Sequence, residues 1–183
     1  MRALTLVLLA VLPAGAQVTV GKVAGVSLPG VHQKLRISLG TFSELERRFD
    51  AKLSSLGGVN EPIDLLGATR GLYLEGYGAV FSTEVSLLVA PGISPFKPVI
   101  SEQEKALVHR RKVERLPKLK EAMREFVRTA AMTLFVVPDD QQIVVAVRLD
   151  YMKWEDTMGL PGLIVAKADR KGAVADDIKL EEQ

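Results

Sequence analysis

Apolar side chains recur at spacings of three and four in two stretches of this chain and alternate with polar ones in others, and these periods set the predicted elements. Phe42, Leu45, Phe49, Leu53 and Leu56 form one stripe, which predicts a helix from Thr41 to Leu56. Thr41 and Glu44 have the spacing of a capping box, in which each side chain satisfies an orphan backbone N–H of the first turn. Gly57-Gly58 ends the helix, because glycine takes up the left-handed backbone that helix ends require. Ser101 and Glu104 make a second capping box at the head of a longer helix reaching about Leu134. Its stripe is Leu116, Leu119, Met123, Phe126, Val127, Ala130 and Leu134. Pro117 falls inside it, lacks an N–H and crowds the preceding turn, so a kink or a break is expected there.

The period changes to two elsewhere. Arg70 to Ala90 reads as a β-hairpin turning at Gly76-Tyr77-Gly78, with Phe81, Thr83, Val85, Leu87 and Val89 on one face and Ser82, Glu84 and Ser86 on the other. Ile143 to Tyr151 reads as a strand with Ile143, Val145, Val147, Leu149 and Tyr151 on one face and Val144, Ala146, Arg148 and Asp150 on the other, and Leu163 to Lys167 as its hairpin partner. The three prolines of Pro91 to Pro98 mark a loop. Weak alternation at Val18–Val20 and Lys34–Leu39 suggests short strands, and the polar stretch 171–183 reads as a flexible tail. The order helix, hairpin, long kinked helix, hairpin predicts an α+β fold: an antiparallel sheet of two hairpins, with helices packed on one face. Residues 17–170 form its single domain.

The front of the chain adds an address. Arg2 precedes an apolar run from Ala3 to Leu12, Pro13 ends it, and Ala14-Gly15-Ala16 offers small residues where a signal peptidase reads. Residues 1–16 are thus expected to be a cleaved signal peptide, since about ten apolar residues fall well short of the roughly 20 that span a bilayer. The expected address is periplasmic or secreted, with no membrane-spanning segment left after cleavage. The net charge of +2 supplies no dominant basic field, which argues against a nucleic-acid partner. The chain has no cysteine, so disulfides, a thiol nucleophile and thiolate metal ligands are excluded.

Candidate chemistry is sparse. His32 and His109 are the two histidines, without the spacing of a metal motif, and no metal or cofactor is expected. Gly25-Val-Ser27-Leu-Pro29-Gly30 misses the nucleophile-elbow pattern by one residue. Glu75 and Glu84, on the polar face of the first hairpin, are the carboxylate pair that acid–base chemistry on a polymer would use. Solvated strand faces carry such residues for solubility as well. Lys120, Arg124 and Arg128 line up at i, i+4 and i+8 and would present a basic face to an anionic surface. Interleaved Glu114, Glu121 and Glu125 fit a solvated, salt-bridged helix face better. The loop Met152–Gly162 is longer than a hairpin turn requires. It gathers Trp154 and Met158, which give large contact area, beside Glu155 and Asp156, which would orient a basic or hydroxylated ligand.

Tyr73-Leu-Glu-Gly-Tyr-Gly-Ala-Val-Phe81 resembles a glycine-interrupted strand found in uncharacterised exported bacterial proteins. The resemblance implies a bacterial, extracytoplasmic origin and no activity. Together these features predict a binding or interaction module of the cell envelope, its partner an envelope protein or polymer. An envelope hydrolase using Glu75 and Glu84 and a peripheral binder of anionic membrane are the alternatives.

Overall fold

The computed structural model describes residues 37–58, 62–92, 95 and 99–183. The expected signal peptide, the strand at Val18–Val20, Ser27 and His32 lie outside the described residues. The first helix, α1, is Leu39–Ser55, and it buries Phe42, Leu45, Phe49 and Leu53 as the stripe predicts. It begins earlier than expected. Ser38 is the cap, its hydroxyl accepting from the Gly40 N–H at 3.2 Å. Glu44, expected to close a capping box with Thr41, instead accepts from Arg47 and Arg48 at 2.6 and 2.8 Å. Ser38 caps as well as threonine does and lets the helix gain most of a turn without moving its apolar face. Leu39, assigned from alternation to a strand, is therefore helical.

The strands are β1 (Asp64–Leu65), β2 (Arg70–Leu74), β3 (Gly78–Ser86), β4 (Gln142–Leu149), β5 (Leu163–Asp169) and β6 (Lys179–Glu182). Between β3 and β4 runs α2 (Glu102–Thr133), and between β5 and β6 sits the short α3 (Arg170–Val174). The six strands form one sheet in the order β1-β3-β4-β5-β6, with β2 also paired to β3, so β1 and β2 are two pieces of one edge. The sheet is mixed, not purely antiparallel as expected: β3 and β4 are parallel neighbours, with Phe81 opposite Val145 and Val85 opposite Leu149. The cause is α2. A helix of 32 residues is about 48 Å long, more than a nine-residue strand's roughly 30 Å. It carries the chain back to the end where β3 began, and β4 starts from there in the same direction.

The capping box of Ser101 and Glu104 is present at the head of α2. The helix runs unbroken through Pro117, which lies on its exposed side, where the carbonyl that loses its partner is within reach of water. The stretch read as a tail, 171–183, holds α3 and β6 instead. Ala173 and Ile178 anchor it in the core, and β6 pairs with β5 through Lys179 to Glu182.

One face of the sheet and the three helices share a single core. Phe81 is fully buried there, 5.5 Å from the ring of Phe42 and 5.0 Å from that of Phe126. Gly71, across from Phe81, leaves the space these rings occupy: a Cβ there would lie 2.5 Å from Phe81 and 2.7 Å from Phe42. Gly78 has φ +135 and no room for a Cβ against the backbone of Gln142, so only glycine fits where β3 leaves the turn. Along β2 the outer edge is closed by α1. Asp50 accepts from the Thr69 N–H at 3.0 Å and Glu46 from the Gly71 N–H at 2.7 Å, so two backbone donors at this edge are already taken.

Candidate functional site

The parallel pair β3–β4 defines a carboxyl end, the place where open sheets with helical crossovers commonly bind ligands. Here that end is filled by the protein itself. Lys112 of α2, with no exposed surface, reaches Glu155 of the loop after β4 at 2.5 Å, and the Glu155 side chain is 1% exposed. The ammonium also donates to Ser86 Oγ at 3.2 Å and the Asp150 carbonyl at 3.5 Å, and lies 4.8 Å from the centre of the Tyr151 ring. Arg115, one turn further along α2, is buried too and donates to the Leu87 carbonyl at 2.6 Å. Burial, then the charge of Glu155, push the Tyr151 hydroxyl up to about 12; it donates to the Pro161 carbonyl at 2.7 Å. His109 donates through Nδ1 to the Asp156 carbonyl at 3.0 Å, closing the loop onto α2 a second time.

Ser86 beside Lys112 has the composition of a nucleophile–base pair, but not its chemistry. The ammonium is held by a carboxylate, Ser86 donates to the Leu88 carbonyl at 3.0 Å, and no solvent reaches Nζ. The cluster fastens the 150–162 loop across the carboxyl ends of β3 and β4.

This settles where the expected site residues stand. In the Met152–Gly162 loop, Glu155 faces inward, and Asp156 accepts from the Met158 N–H at 2.9 Å within its own turn. Trp154 is half-buried, whereas Met152 and Met158 are exposed. Glu75 sits in the turn before β3, and Glu84 lies near the other end of that strand, roughly 20 Å away at about 3.3 Å per residue. Paired glycosidase carboxylates lie about 5–9.5 Å apart, so these two are not brought together. Glu84 instead faces Arg148 at 3.6 Å. The basic row of α2 turns to the C-terminal segment: Lys120 binds Glu182 at 2.7 Å, Arg124 donates to the Ile178 carbonyl at 3.2 Å, and Arg128 pairs with Asp176 at 2.5 Å. Among the described residues, no cluster of three histidines or carboxylates has the geometry to hold a metal. No described helix is long and apolar enough to cross a membrane.

The face of the sheet away from the helices is the surface that sequence reasoning passed over. Register places Leu72, Val80 and Val144 in one row across β2, β3 and β4, continued by Lys167 on β5. The next row is Arg70, Ser82, Ala146, Val165 and Glu181. Leu72, Leu74 and Tyr77 are close to half exposed. The signal was present: Ile143-Val-Val-Ala-Val147 is apolar at every position, the pattern of a strand covered on both faces, not one.

Comparison of the chain with protein-family models, with curated proteins and with solved structures finds no match.

Proposed function

We propose that this chain is an exported bacterial protein that works as a non-catalytic interaction module of the cell envelope. One observation carries the reading. The central strand β4 has an apolar sequence suited to cover on both sides, and among the described residues the helices cover one side only. An antiparallel or mixed sheet whose second face meets water ordinarily alternates apolar with polar residues. Here the outward positions Val80, Ala146 and Val165 are apolar and part-exposed, Val144 between them is buried, and the exposed Leu72, Leu74 and Tyr77 adjoin them; apolar surface of this kind marks interaction sites. The groups that suggested catalysis are spent on structure: Lys112 on Glu155, and Glu84 beside Arg148. The signal sequence at residues 1–16 supports the address, and the exposed Met152 and Met158 beside Trp154 give a secondary contact area at the carboxyl end of the sheet.

Sedimentation of the tagged chain in an envelope extract of its source organism tests this reading. The wild-type chain is expected in a complex larger than one chain, and Val80→Asp, which places a charge on the open face, is expected to sediment as a single chain. Wild type sedimenting as a single chain, or the two behaving identically, overturns it.

A further inference from the structure

We infer that the 150–162 loop is a strap over a carboxylate-binding site, in which Glu155 stands where the carboxylate of a small aliphatic acid binds. The site lies at the carboxyl ends of β3 and β4 and is separate from the sheet face proposed above as an interaction surface.

The recess is built by the sheet and α2. The Lys112 ammonium, on α2, meets Ser86 Oγ at the end of β3 at 3.2 Å, the Asp150 carbonyl just after β4 at 3.5 Å, and the ring of Tyr151. None of these three groups carries a charge. The charge that answers the ammonium comes from the loop, as the Glu155 carboxylate at 2.5 Å. With Glu155 lifted away, the recess would hold a cation without a counter-charge, which is costly wherever water is kept out. The recess therefore selects an anion. What fills it now is a carboxylate on a two-carbon stem, so its size and shape suit a short aliphatic acid.

The strap has its own internal structure. Its turns close on themselves: the Glu155 N–H donates to the Met152 carbonyl and the Leu160 N–H to the Thr157 carbonyl, both at 3.0 Å, and the Met158 N–H to Asp156 at 2.9 Å. The Tyr151 hydroxyl on the Pro161 carbonyl joins its two ends at 2.7 Å. Met152 and Met158 are exposed and do not anchor it. Its middle is held to α2 by Lys112 on Glu155 and by His109 on the Asp156 carbonyl. Loops held by a few polar contacts between fixed ends are the parts of a fold that open most easily.

Glu155 is also an imperfect occupant. A buried ion pair repays its desolvation only when further hydrogen bonds satisfy the remaining lone pairs. Both Glu155 oxygens are buried, and apart from the ammonium no donor reaches them among the described residues. A free carboxylate that takes the ammonium returns Glu155 to water, and the exchange strands no charge. Because Glu155 is tethered, it competes at an effective concentration in about the millimolar range.

Acetate is the probe, since Glu155→Ala removes the atoms of an acetate ion from the recess. Trp154 fluorescence and the melting temperature of the purified chain are followed against sodium acetate, with sodium chloride at equal ionic strength as the reference. In wild type, acetate and not chloride should change Trp154 emission, with half-saturation at about 10 mM or above, because a tethered carboxylate must be displaced. Glu155→Ala has no such competitor; it should respond at about a tenfold lower concentration and gain melting temperature as it does so. Lys112→Met/Glu155→Leu, with neither charge, should show no acetate response, and together with wild type it decides the matter if Glu155→Ala does not fold. Wild type indifferent to acetate overturns the strap, even where Glu155→Ala responds. A folded Glu155→Ala that ignores acetate overturns the site. A response that persists in Lys112→Met/Glu155→Leu means an adventitious additive only, and overturns it as well.

Discussion

The Lys112–Glu155 pair gives the sharpest energetic test of the structure. Both side chains are out of water, and the Glu155 oxygens have no hydrogen-bonding donor besides the ammonium among the described residues. Glu155→Gln keeps the shape and removes the charge, leaving Lys112 with Ser86 Oγ, the Asp150 carbonyl and the face of Tyr151. Breaking a buried pair from one side costs about 3–5 kcal/mol, because the remaining charge is stranded. Lys112→Met should cost a similar amount by stranding the carboxylate. The double variant Lys112→Met/Glu155→Leu strands nothing and should fall within about 1 kcal/mol of wild type, or exceed it. The cycle therefore predicts a coupling of several kcal/mol, a large part of the 5–15 kcal/mol typical of a whole domain. Urea melts followed in parallel by fluorescence and circular dichroism measure it. Trp154 is the one tryptophan and adjoins Glu155, so its fluorescence reports the loop while circular dichroism reports the fold. In the single variants the fluorescence transition should come first. Single variants within about 0.5 kcal/mol of wild type, adding without coupling, would show that the pair is open to water and refute the account.

Three further outcomes follow from the core and the loop. Gly71→Ala should destabilise by about 1–3 kcal/mol in chemical denaturation, since its methyl would press on the rings of Phe81 and Phe42; a neutral result would mean those rings move freely. Thr83→Val should raise stability by about 1 kcal/mol, because the Thr83 hydroxyl is buried without a partner among the described residues; a loss would reveal a partner for it. Tyr151 is neutral in the fold up to about pH 12, above the usual value near 10, so its contribution to stability is complete below about pH 10 and lost as pH rises from there through 12. Spectrophotometric titration should then show a late-ionising tyrosine, and Tyr151→Phe should remove it.

Period and capping residues made the helices legible. The stripe from Phe42 to Leu53 and the box of Ser101 and Glu104 are local facts, and both are in the fold. What was not legible depends on partners distant in sequence. The segment Lys179-Leu-Glu-Glu182 has one apolar residue and no pattern of its own; it is a strand because β5 supplies its backbone partners. The parallel pairing of β3 and β4 follows from the crossover through α2, although the unbroken apolar run Ile143–Val147 hinted at a central strand. Lys112 and Arg115 escaped notice, and Glu155 was read as facing a ligand, because such residues normally stay at the surface. Yet Lys112 stands four residues from Val108 and from Leu116, within the apolar stripe, and a lysine in that position is a buried charge in search of a carboxylate.

The carboxylates that α1 lays along β2 bear on how far this sheet can grow. A polymer unit needs two reactive ends; with one, growth stops at a pair. Glu46 and Asp50 occupy donors on one flank, and on the other β6 is short, bears three charges and has Arg124 bound at the carbonyl of Ile178 just before it. A new strand adding along β2 would have to displace both carboxylates from α1 before it could pair. The molecule is in this sense a chain stopper, poorly equipped to propagate edge to edge into a fibre.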